Sequence, residues 1–359
     1  MKNLPDRRLL LEKARQILDG IIDENNQAVF TNRYGRHYMD DWDWFQGVAL
    51  FGVYTYYRQT GEQAALDYLI QWFDTHIKKG LPVKNVNSMA PCLTLSYLWE
   101  ETGEAEYLAI CREWADYAMN GLPRTPEGGM QHITIDSPNE GQLWDDTLYV
   151  AVLFLARMGQ LDNHPEYVHE SVRQFLVHIK YLTDVTTGLF FHGWSFPRLD
   201  HFARARWGRG NAWYTAGLVD YLDMAEIDPG VRMFLISTLD RQVEALAKYQ
   251  TKDGMWRTLI DQEDSYEESS ATAGFAYGIL KAARLGYLPA ERAEMGVRAL
   301  HAVLDKIDEH GILQGVSAGT RLYDDLDTYR TIRVNAQPYG QSMALLAITE
   351  ALRTAPDAP

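Results

Sequence analysis

Gln142-Leu143-Trp144-Asp145-Asp146-Thr147-Leu148 runs straight into Tyr149-Val150-Ala151-Val152-Leu153-Phe154-Leu155-Ala156 and on to Arg157-Met158-Gly159. Asp and Thr at the start, an unbroken apolar body and a glycine stop predict a helix buried on every side. Its opening is then anomalous. Two carboxylates beside a tryptophan stand at the mouth of a helix too apolar to face water, where polar groups are costly unless they are paired or used. Helix capping accounts for one of them, because Asp suits the N-cap and the positive end of the helix dipole. It does not account for the return of the same arrangement around the chain.

Outward from this stretch the chain alternates two kinds of helix. One kind is amphipathic: Ala65, Leu66, Leu69, Ile70, Phe73 and Ile77 follow helical spacing with Glu62, Asp67, Gln71 and Lys78 between them. The pattern recurs at Tyr107–Ala118, Val168–Leu182, 231–249 and 290–306, with 7–20 as its first member. The other kind is apolar almost all round and rich in small residues, at 45–59, 89–102, 146–158, 211–224, 270–285 and 339–352. Six such pairs form a repeat array. A half-exposed ring around a buried one predicts an all-α, single-domain (α/α)6 toroid over 1–359, twelve helices with six inner and six outer. Closure is expected over an open solenoid because neither end shows a polar capping repeat. Strand-like pieces at 188–194 and 255–257 are expected to form short hairpins in the connections.

Lys+Arg 34 against Asp+Glu 49 gives a net charge of −15, which argues against nucleic acid or an anionic membrane surface as partner. The first residues carry charge in place of a signal peptide's apolar core, and no apolar run is long enough to span a bilayer. Cys92 and Cys111 lie in apolar helical stretches, read as reduced packing residues of a cytoplasmic protein. No His-x-x-x-His or Cys-x-x-Cys spacing offers a metal site, so neither metal nor cofactor is expected.

The segments leading into the inner helices carry the reactive residue types. They are Asp40-Asp41-Trp42-Asp43-Trp44, Asn85-Val86-Asn87-Ser88, Gln131-His132 with Asp145-Asp146, His192-Gly193-Trp194 with Arg206-Trp207-Gly208-Arg209-Gly210-Asn211-Ala212-Trp213, Tyr266-Glu267-Glu268-Ser269-Ser270, and Asn335-Ala336-Gln337-Pro338-Tyr339. If the inner helices run parallel, these converge on one mouth holding aromatic faces and planar polar groups, the composition of a sugar site. Glycoside chemistry uses two carboxyl groups. Asp145 and Asp146 are not expected to be that pair, since helix neighbours point about 100° apart, which makes Asp43 the best second acid. Arg209 is a candidate to accept an acidic sugar through its two-pronged fork.

Trp144-Asp145-Asp146-Thr147-Leu148, Phe191-His192-Gly193-Trp194, the Arg206–Trp213 block and Ser269-Ser270-Ala271-Thr272-Ala273 together resemble glycoside hydrolase family 105, the unsaturated rhamnogalacturonyl hydrolases, related to the unsaturated glucuronyl hydrolases of family 88. The resemblance runs from Asp41 to Gln341 and implies an (α/α)6 barrel. It implies a small anionic substrate, a short oligosaccharide ending in a 4,5-unsaturated uronic acid. The double bond would be hydrated, with Asp146 first as proton donor and then as base. It also implies uronate contacts from Arg209 and Trp207, aromatic walls from Trp44 and Trp213, and hydroxyl contacts from His132 and His192, with Tyr339 lining the mouth. Where relatives carry a second Asp, this chain has Lys84-Asn85-Val86-Asn87, so Asn87 or Asp43 takes that part. A proton donor must hold its proton, so Asp146 is expected to sit in a dry site walled by Trp144, Trp207 or Trp213, with its pKa raised. A sugar epimerase and a non-catalytic sugar binder are the competing readings.

Overall fold

The computed structural model describes residues 1–22 and 38–357, and in it the two kinds of helix become two concentric rings. The outer ring is α1 (Arg7–Ile22), α3 (Gln63–Lys79), α5 (Ala105–Asp116), α7 (Pro165–Leu182), α9 (Pro229–Tyr249) and α11 (Ala293–Asp305). The inner ring is α2 (Trp44–Thr60), α4 (Ala90–Thr102), α6 (Leu153–Leu161), α8 (Gly208–Met224), α10 (Ser269–Arg284) and α13 (Pro338–Leu352). A short α12 (Leu326–Arg330) stands outside this alternation.

Burial explains the sorting. In α3, Ala65, Leu66, Leu69, Trp72, Phe73 and His76 are buried and the remaining faces meet water, the stripe of a helix packed on one side. In α13 every residue is buried, so that helix can only stand inside a ring. The inner helices pack in sequence, and α13 returns to pack on α2. That contact closes the (α/α)6 toroid and excludes an open solenoid. Glycine permits the approach: a Cβ on Gly52 would lie 2.5 Å from Ser342 Oγ, and one on Gly47 would lie 2.4 Å from the Pro91 nitrogen.

The inner helices run parallel, because their contacts join like ends. Trp44 and Tyr339, at the starts of α2 and α13, stack with ring centroids 4.7 Å apart, and Arg209 and Glu268 meet at the starts of α8 and α10. At the other ends Arg58 pairs with Glu101, Arg157 with Glu100, Lys281 with Asp220, and Arg284 with Glu350.

The third inner member departs from expectation. Gln142–Trp144 is a strand, β1, paired antiparallel with β2 (Gly193–Ser195); residues 188–191 fold back on 182–184 through the Thr183–Phe190 bridge as a small hairpin, and the chain beyond them reaches across to β1. Arg257 makes a single bridge to Glu267. After β1 the chain makes a π-helical turn, Leu148–Val152, before α6 begins, a widened turn of the kind found near functional sites. The helix does not stop at Gly159 but runs to Leu161. Gly159 is there for packing, since its Cβ would lie 2.7 Å from Val168 Cγ2. Cys92 and Cys111 are free and buried, and no described helix is long and apolar enough to cross a membrane.

Candidate active site

Asp145 is the turn residue after β1, and Asp146 is the first residue of the helical segment that passes through the π-helical turn into α6, the start expected from the sequence. The wheel argument that separated them does not apply, because Asp145 is not on that helix. Asp145, Asp146 and His192 each offer an atom within 4.8 Å of the others. Asp145 is wholly buried, neither oxygen has a hydrogen-bond donor, and a Cβ on Gly210 would lie 2.0 Å from its Oδ2. Asp146 keeps its side chain 15% exposed, with Oδ2 3.6 Å from His192 Nε2.

These surroundings split the two acids. Burial, reinforced by the Asp146 charge, pushes Asp145 well above the usual carboxylate range. Burial also lifts Asp146, but His192, His132 and Arg209 outweigh it and hold that group low. The elevated acid is therefore Asp145, a correction to the expectation for Asp146; two adjacent buried carboxylates disfavour double ionisation, and the one beside the imidazoles ionises first.

The histidines are tied from behind. His192 Nδ1 lies 2.7 Å from the Tyr329 hydroxyl and His132 Nδ1 lies 2.8 Å from Thr147 Oγ1. Burial pushes His132 down to about 4 and His192 below its ordinary value, so both are neutral at pH 7. A hydroxyl proton donated by Tyr329 to Nδ1 would leave the His192 proton on Nε2, on the side of Asp146. Trp144 lies between the two imidazoles, 4.3 Å from His132 in a parallel stack and 5.6 Å from His192 edge-on, and Trp207 covers the other side of His192 at 4.2 Å.

A second aromatic wall comes from three inner helices. Trp213 lies edge-on to Trp44 at 6.3 Å and 4.8 Å from Tyr149, while Tyr339 stacks on Trp44 and donates its hydroxyl proton to the Ser317 carbonyl. The Trp207 and Trp213 indole N–H groups and the Tyr149 hydroxyl are buried without partners. Such orphans are rare in a finished core.

Arg209 is placed differently from a free fork. Its Nη1 donates to Ser317 O and Oγ at 2.9 and 2.5 Å, and its Nη2 to Ala318 O and Thr320 Oγ1 at 2.9 and 3.1 Å. Nε is the donor left without a partner. Glu268 stands 3.8 Å away and accepts from the Ser317 N–H at 2.8 Å. Arg209 and Glu268 thus pin the 317–320 loop, whose Gly319 sits against Trp44 and Phe45.

Asp43 is the N-cap of α2 in a reciprocal capping box with Gln46; burial pushes it up to about 6, with Asp41 and Asp136 adding to the rise. Asn87 is half-buried in the 3-10 turn before α4, and that turn packs on the π-helical turn below Asp146. Sequence reasoning missed Tyr329, Tyr149 and Ser317, and named Glu268 only as part of the segment before α10. Glu268 carried a signal, as an acid two residues before the small-residue run of α10; Tyr329 carried none, reaching His192 from 137 residues away. The cluster of Asp145, Asp146 and His192 is the one grouping among the described residues able to converge on a cation, which no sequence spacing revealed.

A closed helical toroid with buried acids between aromatic walls at one mouth is the architecture of a sugar-acting protein. The chain belongs to Glycosyl Hydrolase Family 88, whose model matches residues 17–355. It is 31% identical over 347 residues to the unsaturated rhamnogalacturonyl hydrolase YesR of Bacillus subtilis, covering 96% of each chain. A crystal structure described as a possible member of the GH105 family, from Salmonella enterica serovar Paratyphi A, is 43% identical with a TM-score of 0.92, covering 98% of this chain and 96% of that one. The unsaturated glucuronyl hydrolase of Bacillus sp. GL1, 17% identical with a TM-score of 0.73 over 95% of this chain and 96% of that one, shares the fold. Family membership sets aside the epimerase and binder readings.

Proposed function

We propose that this hydrolase removes a 4,5-unsaturated uronic acid from the non-reducing end of short rhamnogalacturonan-type oligosaccharides by adding water across C4=C5. The observation that carries the reading is the Asp145–Asp146 pair, one acid elevated and one depressed, at the mouth between two tryptophan walls. A vinyl ether needs a proton on C4 before water attacks C5, and the same carboxylate can then take the proton released by that water. The hemiketal so formed opens and the linkage is lost, with no displacement at the anomeric carbon. Asp146, the more exposed of the two, is the acid that touches the substrate.

Trp44, Trp213 and Tyr339 offer flat faces for the sugar ring, and His132, His192 and Asn87 offer hydroxyl contacts. Arg209 brings its charge and the remaining Nε–H toward the uronate, while Trp207 walls that side; Asp43, easily neutralised, tolerates an anion nearby. YesR, similar along its whole length, supports the rhamnogalacturonan class. The two reduced cysteines fit a cytoplasmic protein acting on small imported fragments.

Turnover of an unsaturated galacturonyl-rhamnose in heavy water tests the chemistry. The expected products are free rhamnose and a uronic acid fragment with deuterium at C4. Free rhamnose released with C4 of the uronic acid fragment unlabelled would mean direct displacement and would end this reading.

A further inference from the structure

We propose that Asp145 and Asp146 work as one acid with a single shared proton, Asp145 being the positioning residue that keeps that proton beside Asp146 until the substrate takes it. The inference rests on the reading of Asp146 given above, and Asp145 itself never touches the sugar.

The packing around Asp145 is what points to this role. Its carboxyl group is enclosed completely, lies against the backbone of Gly210 and finds no donor in the protein. A charge so enclosed is far less stable than the neutral acid. An acid kept only for capping would need none of this, and a merely packed residue at that spot would be apolar. Gly210 supplies the room: any side chain there would collide with Oδ2.

The groups facing the pair come from every neighbouring element. Asp146 stands on the same turn, His192 comes from the residue before β2, His132 from the segment before β1, Arg209 from the first turn of α8 and Tyr329 from α12. The two imidazoles act on Asp146, whereas at Asp145 the pull of Arg209 and of the Asp146 N–H is outweighed by burial and by the Asp146 carboxylate beside it. The arrangement holds one proton at neutral pH and releases it through the exposed partner. In turnover the C4=C5 π electrons form a C4–H bond with the proton at Asp146, leaving the pair doubly ionised and C5 cationic. Water then bonds to C5 and returns one proton to the pair, which closes the cycle without an outside acid.

Asp145→Asn removes the store while keeping size and shape. On the unsaturated disaccharide at pH 7, kcat is expected to fall about 100-fold with KM within about twofold. The alkaline limb of the kcat–pH profile should move to acid, because Asp146 alone loses its proton at low pH. A readout free of turnover goes with it: infrared spectra of the protein at pH 7 should show a protonated-carboxyl stretch that is absent from Asp145→Asn. An unmoved limb, or a stretch that survives the substitution, overturns the pair. If no unsaturated uronide is turned over yet the stretch disappears as expected, the functional reading fails and the pair stands. Should Asp145→Asn not fold, Gly210→Ala makes the same distinction by displacing the carboxyl group, and an unmoved limb there counts against the proposal equally.

Discussion

The two ends of the inner barrel treat their charged side chains in different ways. At the closed end, where the inner helices finish, acids meet bases: Lys281 lies 2.7 Å from Asp220 and 3.0 Å from Asp223, Arg284 bonds Glu350, and Arg157 pairs with Glu100. Lys281 and Arg284 also stand in the last turn of α10, where a cation suits the helix dipole. At the mouth, Asp145, Asp146 Oδ2, His192 Nε2, Tyr149 and the indoles of Trp207 and Trp213 have no partner. Pairing marks the end that holds the ring together. Its absence marks the end that is kept ready for a ligand.

The sharpest way to break this contrast is to unpair the closed end. Lys281→Met leaves Asp220 buried beside a methionine, and a buried charge robbed of its partner costs about 3–5 kcal/mol. Denaturant unfolding should show that loss, while turnover per folded molecule stays unchanged; a drop in turnover at constant stability would mean that the closed end also takes part in the chemistry. At the mouth the expectation reverses. His192→Gln should lower turnover roughly 100-fold with little change in melting temperature, because His192 is a neutral group that orients Asp146. An equal loss of stability would show that the mouth is structural.

Asp43 offers the smallest test, with a sign of its own. Its folded pKa, pushed up to about 6, exceeds that of a free Asp at about 3.9, so between those values the folded state binds more protons than the unfolded one. This group's contribution to stability therefore falls as pH rises from about 4 to 6. His132, held down to about 4, acts in the opposite sense and destabilises the fold as pH falls through its ordinary range. Asp43→Asn keeps a favoured N-cap residue and should flatten only the first effect, as read by melting temperature against pH. A slope unchanged by the substitution would remove Asp43 as its source.

The rings were legible because burial on one face or on all faces leaves a direct mark on residue periodicity, as α3 and α13 show. Closure was visible only as an absence of polar end repeats, and the α2–α13 contact supplies its cause. The mouth's residues could be named but not arranged. Nothing in Trp144-Asp145-Asp146-Thr147 announces a strand ending in a π-helical turn, yet that backbone turns both carboxyl groups to one place. Arg209 could be picked out as a carboxylate binder from its surroundings in sequence. Its actual partners, Ser317, Ala318 and Thr320, lie more than 100 residues on in a segment with no helical signal.

The central claim is that Asp146 is the acid that hydrates an unsaturated uronide. The most direct measurement follows the ultraviolet absorbance of an unsaturated rhamnogalacturonan disaccharide with the parent protein and with Asp146→Asn. Hydration destroys the conjugated enol ether, so the account expects absorbance to fall with the parent and to hold steady with a variant that melts no lower than the parent. Equal decay with both proteins would contradict it and hand the chemistry to another acid at the mouth.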